Sequence, residues 1–392
     1  MITKLAIKRI LGNGWHSVIN IAILSIVLLG IVLIQSIYDG WSRTARRQLI
    51  EWENGNGHYE QQNYDKYDSF TIDKSYAPIP EGIQTQIDNG EAVPILVSTG
   101  MLYPNGRMTP ITIKGIPYSQ TLLKIPTQYL KITDNTSLEI PVVIGQQMAK
   151  SAEINEGDTI PLRWKDVNGV FNAYDVVVAK IMRTPVPSID VSQVWMDFAK
   201  LNELKELQNS TTIIVLKSEP RNTSLGKEWK YISTKETMES TKAMINADKS
   251  GGYVILALMM FLAMVAIFDT QTLAIFKRKK EIGTLLALGM PKKQIIKLFT
   301  LEGSLYMLLG TIVTAVLGLP IFLYLGIKGI QIPQEVGNMN VVGVIEPMKS
   351  YFSPFALLFI FIIMMALTVY SSWLPAAKIA RMKATDAIKG KA

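Results

Sequence analysis

Cysteine is absent from this sequence, and histidine occurs only as His16 and His58. The first absence excludes structural disulfides, thiolate zinc sites and cysteine nucleophiles in any compartment. The second nearly excludes histidine-rich metal sites and histidine-based triads. No phosphate-binding loop is present either. The segment "GQQMAKS" at 145–151 has Ala149 before its lysine, where that loop needs a glycine so that backbone can cradle phosphate. Acidic residues between the apolar runs are scattered, as on a solvated surface. Trp52, Trp164, Trp195 and Trp229 have no accompanying basic stripe, so they read as core or interface anchors and not as nucleic-acid stackers.

What the chain has in quantity is apolar sequence: 48% of 392 residues, with a formal charge of +8. Four runs are long enough to cross a hydrocarbon core about 30 Å thick, at 17–37, 253–276, 303–327 and 355–374. The first is longer than the roughly 7–15 apolar residues of a signal peptide, and no small-x-small cleavage site follows, so it reads as a retained anchor. Lysine and arginine concentrate in three flanks: the amphipathic N-terminal helix 1–16, the segment 277–302 and the C-terminal helix 375–392. All three are expected on the cytoplasmic side. The loop 328–354, with Lys328 and Lys349 against Glu335 and Glu346, is expected outside; Arg43, Arg46 and Arg47 run against the rule.

Residues 38–252 contain no membrane-length run and form an extracytoplasmic domain. Short β-rich runs, "TTIIVLK", "YDVVVAKIM" and "MTPITIKGI", alternate with Gly, Pro and Asn-Gly turns, which predicts an α+β fold. Helices are expected over "PVVIGQQMAKSAEI", "SQVWMDFAKLNELKEL" and "KETMESTKAMINADKSG", the last feeding into the second span. A hairpin is expected at Asn168-Gly169, with positive φ available to both residues.

The segment "KRKKEIGTLLALGMPKKQIIKLF" at 277–299 is the unusual feature, because a simple turn would suffice between two spans. A continuous helix from Tyr253 to Leu288 would be about 54 Å long and would protrude from the membrane. Gly289 suits its left-handed end, Pro291 the first turn of the next helix, and Ile282, Leu285 and Leu286 make an apolar face needing a partner. Two readings are open on these residues: an amphipathic hairpin resting on anionic headgroups, or a lever inserted into a cytoplasmic partner. In the membrane, Asp269 is expected to snorkel or pair near the interface, Gly303, Gly310 and Gly318 to allow close helix approach, and Pro320 to kink the third span.

This strip resembles the coupling segment of FtsX/MacB/LolC-LolE-type (type VII) ABC permeases, through Arg278, Glu281, Ile282, Gly283, Ala287, Leu288, Gly289, Gln294, Ile295, Phe299, Glu302 and Gly303. "LPAAKIARMKATDAIKG" resembles the family's C-terminal helix, with Lys383 and Ala384 in place of its Asp-Pro, and "VVIGQQMAKSAEINEGDTIPL" resembles part of its outer domain. The resemblance implies an α-helical membrane protein with four transmembrane helices plus a large α+β, MacB-like periplasmic core between helices 1 and 2. It also implies a bacterial inner-membrane location with both termini cytoplasmic. The chain would be a permease subunit and no enzyme. Its partners would be a cytoplasmic ABC ATPase dimer that binds ATP and Mg, a second permease subunit (identical or paralogous) and membrane lipids; no nucleic acid is implied. By resemblance, the coupling residues are Arg278, Glu281, Ile282, Gly283, Leu285, Leu286, Gly289, Pro291, Gln294, Ile295, Phe299 and Glu302, and the first two spans line a substrate cavity through Ile26, Leu29, Leu33, Met260 and Met264. The layout implies release of lipoproteins or other amphiphiles by mechanotransmission, with a periplasmic chaperone as a further partner. Where LolC-type subunits carry a proline-containing docking hook, this chain has the short turn "KDVNGVFNAY". The alternatives are an FtsX-like activator of a cell-wall hydrolase and a MacB-like exporter of peptides or drugs.

Overall fold

A computed structural model describes residues 6–8, 10, 12, 14–132, 139–220, 224–330, 347 and 349–380. The chain divides into two compact units, residues 1–42, 245–330 and 347–392 in one and 43–244 with 331–346 in the other.

The first unit is helical. Among the described residues four helices are long and apolar enough to cross a membrane: α1 (Trp15–Leu49), α7 (Thr234–Lys277), α9 (Lys292–Lys328) and α10 (Pro354–Ala380). Their inward faces make one apolar cluster around Leu28, Ile31, Ala263, Tyr306, Met307 and Met364. Hydroxyls tie neighbouring helices together: Ser25 donates to the Gly310 carbonyl at 3.1 Å and Thr314 to the Ser25 carbonyl at 3.0 Å. Away from water such bonds replace the hydrophobic drive that lipid cannot supply. The expected close approaches are present. A Cβ at Gly310 would lie 3.1 Å from that of Leu24, and one at Gly303 would collide with Ser372. Asp269 sits on the exposed face of α7. The expected C-terminal helix continues α10 to Ala380, and its remainder lies outside the described residues, as do Glu335 and Glu346 of the loop 328–354.

Among its described residues the second unit has eleven strands: β1 (His58–Gln61), β2 (Ala77–Pro78), β3 (Ala92–Leu102), β4 (Thr109–Ile116), β5 (Ile140–Gly145), β6 (Thr159–Lys165), β7 (Phe171–Met182), β8 (Gln193–Asp197), β9 (Ser210–Thr211), β10 (Ile213–Leu216) and β11 (Trp229–Ile232). Between them lie helices α2 (Ser69–Ile72), α3 (Glu81–Asp88), α4 (Gln146–Ala152), α5 (Pro187–Ser192) and α6 (Phe198–Leu204). Strands β3-β4-β8-β5-β7-β6 form a ring, because β6 also pairs with β3 through Gly100–Leu102. All six contribute alternate side chains to one core, among them Leu96, Ile113, Val194, Val142, Val176 and Leu162. Side chains of opposite parity, Val97, Val143 and Trp195, face a second core outside the ring. This explains why β3 is apolar on both faces while β6 alternates strictly. Gly100 is required at the closure. A Cβ there would lie 2.5 Å from the Ile113 side chain and 3.1 Å from the Arg163 carbonyl oxygen. The second half of β3's free edge is thus taken by β6, while its first half pairs with β10, which carries β1 and β11.

Three sequence expectations are corrected. "PVVIGQQMAKSAEI" is strand β5 followed by helix α4, and "SQVWMDFAKLNELKEL" is strand β8 followed by helix α6. In both, the apolar run lies in the ring and is buried on two faces, a pattern that length alone cannot distinguish from a helix. Asp197 marks the second switch by accepting from Ala199 and Lys200 as a cap. The hairpin β6–β7 is present, but only Gly169 has positive φ. A longer loop wraps around the Asp166 carboxylate, which accepts from Asn168, Val170 and Asn172.

Lys205 is the notable buried charge. It is 1% exposed and donates to Asp73 at 3.1 Å, Ser98 at 3.1 Å and the Lys165 carbonyl at 2.8 Å. Burial works to raise the Asp73 carboxyl, but hydrogen bonds from Thr99 and the Lys205 charge hold it below its usual value. A group depressed on folding stabilises above its unfolded pKa, and that contribution is lost as pH falls through the folded value. Lys205→Met should therefore destabilise this unit by roughly 2–3 kcal/mol, less than for a fully dry pair because Asp73 keeps some solvent. The gap between wild type and Asp73→Asn, read from tryptophan fluorescence melts, should narrow as pH drops below about 4.

Candidate functional site

The strip between the second and third spans folds as a break, a short helix, a corner and a long helix. At Arg278 the backbone leaves helical geometry (φ −99°, ψ 16°), and α8 (Lys279–Ala287) begins. The single helix expected from Tyr253 to Leu288 is thus two helices. The reason is visible in what the turn achieves. Arg278 reaches Glu302, with Nη1 to Oε2 at 3.6 Å, and Ile282 turns into a cluster with Ile275, Ile295, Phe299 and Ala376. A straight continuation would carry both away from the bundle.

The corner is a Schellman closure. The Met290 N–H donates to the Leu285 carbonyl at 3.0 Å and the Gly289 N–H to the Leu286 carbonyl at 3.1 Å, while Gly289 takes φ +91°. This is the left-handed end expected of that glycine. Pro291 stands one position earlier than expected, at the N-cap in extended geometry, so that α9 starts at Lys292.

The predicted coupling residues range from buried to exposed. Ile282, Gly283, Ile295, Phe299 and Glu302 are buried in the chain itself, and Arg278 is largely covered. Leu285 and Leu286 are half-buried, the latter against the Ile282 cluster. The expected apolar face is therefore mostly satisfied internally. Glu281, Gly289, Pro291 and Gln294 are exposed, together with Leu288, which is 80% exposed at the tip. The prominent unpartnered apolar group is Leu288 and not Ile282.

The base of the corner is polar and buried. Glu302, 2% exposed, also accepts from the Tyr306 hydroxyl at 3.3 Å; the Ser17 hydroxyl lies 3.0 Å from that oxygen and 2.7 Å from the Ile10 carbonyl, and can donate to either. Helices α1, α9 and the Arg278 break thus share one network. Tyr306 and Ser17 were not among the sequence candidates, although Tyr306 lies four residues after Glu302, the spacing that places two side chains on one helix face.

Of the residues assigned by resemblance to a substrate cavity, Ile26, Leu29 and Leu33 lie on α1 and Met260 and Met264 on α7. Ile26 is exposed on α1, whereas Leu29 lies against Gly318 of α9. Met260 is half-buried against the apolar cluster of the helical unit, and Leu33 and Met264 are half-buried.

Comparison with known proteins finds one family model that matches part of the chain. Residues 253–384 match the model of the FtsX-like permease C-terminal domain. That stretch holds the second half of α7, α8, the corner, α9 and all of α10. No curated protein matches the chain. Among solved structures, the periplasmic region of MacB from Actinobacillus actinomycetemcomitans is similar at 13% identity with a TM-score of 0.31, over 48% of this chain and 94% of that one. The extracellular domain of the noncanonic ABC-type transporter YknZ from Gram-positive bacteria is similar at 13% identity with a TM-score of 0.26, over 44% and 89%.

Removing one member of a buried pair strands the other charge, while removing both does not. Arg278→Met should lower the melting temperature of the detergent-solubilised chain clearly, corresponding to about 2–4 kcal/mol. Arg278→Met combined with Glu302→Gln should recover at least half of that loss, and a double-mutant cycle on thermal unfolding measures the coupling.

Proposed function

We propose that this chain is the membrane subunit of an ABC transporter, coupling ATP hydrolysis in a separate cytoplasmic ATPase dimer to movement of its outer unit, and so releasing a lipoprotein or similar amphiphile from the inner membrane. The observation that carries this reading is that the FtsX-like permease match encloses the corner, and that the corner pairs a buried, hydrogen-bonded base with an exposed apolar tip at Leu288. Such a tip is built to be gripped: a leucine held out by a Schellman closure, with Glu281, Pro291 and Gln294 exposed near it in sequence. ATP and Mg belong to the partner. In this reading, closure of the ATPase dimer displaces the tip, the Arg278–Glu302 base passes the displacement to α9, and α7, one uninterrupted helix from Thr234 to Lys277, serves as the lever to the outer unit. A second permease copy or paralogue completes the cavity to which Ile26, Leu29, Leu33, Met260 and Met264 contribute.

Leu288→Asp places a charge at the tip without touching the core. It should reduce copurification of the ATPase partner at least about tenfold, the scale of an apolar anchor lost from an interface, with membrane insertion and thermal melting unchanged. Full copurification and full substrate release in Leu288→Asp would remove the tip as the grip. Mass spectrometry of what is retained by the wild-type complex tests the substrate: a lipidated protein supports release, and a wall hydrolase in its place overturns it.

A further inference from the structure

On the outer flank of α9 runs a shallow groove of about 320 Å³, closed on its other side by Val369 and Trp373 of α10. Its α9 wall carries Lys293, Lys297, Thr300 and Ser304, a spacing of four, three and four residues that puts all of them on one helix face. By the same periodicity this face lies about 180° from the one that buries Ile295, Phe299 and Glu302. Both lysines are exposed, and among the described residues neither has an ion-pair partner.

We infer that this groove binds the headgroup and upper acyl region of an anionic phospholipid. The order of side chains along the groove matches the order of groups along such a lipid. Lys293 and Lys297 come first, in the polar turns before the hydrocarbon-length run, and offer two cations to a phosphate. Thr300 and Ser304 follow, at the level of the glycerol and ester oxygens. Each already donates to its own helix, at 2.9 Å in both cases, so neither hydroxyl bonds the ester oxygens, which only accept; what these short side chains give is room for that part of the lipid. Leu301 and Val369 then give apolar walls. From Lys293 to Ser304 is about 16 Å along the helix, a depth that a soluble domain pressed against the cytoplasmic surface would not follow. Trp373, half-exposed at the end of the fourth span, has the amphipathic ring that favours the headgroup boundary. The absence of a carboxylate from the groove lining favours an anionic lipid over a zwitterionic one, whose ammonium would meet only lysines.

The test is native mass spectrometry of the full-length, detergent-solubilised protein with equal phosphatidylglycerol and phosphatidylcholine. The wild type should retain the anionic lipid preferentially, and Lys293→Gln/Lys297→Gln should reduce that preference about fivefold or more, as expected for two surface lysines near a phosphate. Lys280→Gln/Lys292→Gln removes the same charge from exposed positions outside the groove and should leave the preference in place. Thr300→Leu/Ser304→Leu fills the groove but keeps both lysines, and should also lower retention. Equal losses in the two lysine pairs would reduce the effect to general charge attraction and overturn the site. Unchanged retention in Lys293→Gln/Lys297→Gln, or displacement of the lipid by excess inorganic phosphate, would overturn it too. None of these readouts depends on the ATPase partner, so its failure and that of the transport reading are distinguishable.

Discussion

A guanidinium and a carboxylate, Arg278 and Glu302, meet at 3.6 Å inside the helical unit, and the local architecture follows from that meeting. Taking both charges out of water costs several kcal/mol each, so the pair is a poor source of net stability. What it provides is a single arrangement. Glu302 can be buried only where a cation reaches it and where Tyr306 donates to it, and this fixes α9 against the break before α8 and against Ser17 of α1. Apolar side chains at the same places would pack in several registers. A buried ion pair with a hydrogen-bond chain behind it fits only one.

That constraint accounts for the division of labour around the corner. Residues behind the break, Ile282, Ile295 and Phe299, are committed to the chain's own core. Residues beyond it are held by backbone hydrogen bonds, through the Schellman closure at Gly289. The outermost turn is therefore rigid in backbone geometry while its side chains, Leu288 foremost, make few internal contacts. An element of this kind keeps its shape through its own backbone hydrogen bonds.

The long-range plan was legible in the sequence because the physics of a bilayer is coarse. Twenty apolar residues between basic flanks read the same whatever their neighbours, and the four spans fall within helices of the expected type, although α1 and α9 extend well past the apolar runs. Gly289 was legible for a similar reason, since a glycine after an apolar helical turn has few other roles. The ring strands β5 and β8 were not. Residues such as Val142, Val143, Ile144, Val194 and Trp195 are buried on both faces, which erases the alternation that identifies a strand. The break at Arg278 was hidden for another reason. Nothing in "FKRKKEIG" disfavours a helix locally, and the turn is set by Glu302, twenty-four residues on and visible only in three dimensions. Ile282 was for that reason assigned to an outside partner when its partners are Ile295 and Phe299.

Helix α9 carries two obligations on opposite faces, and its composition resolves them without conflict. One face holds Ile295, Phe299, Glu302 and Tyr306 and must be exact, because a buried carboxylate tolerates no slippage. The other holds Lys293, Lys297, Thr300 and Ser304, where long flexible cations at the water boundary grade into short hydroxyls and then into leucine and valine. That gradient follows the dielectric of a membrane leaflet from headgroup to chain. A helix anchored so firmly on its inner face can meet a soft, exchangeable environment on its outer one. The position of the corner is set by the ion pair on the far side of the same helix.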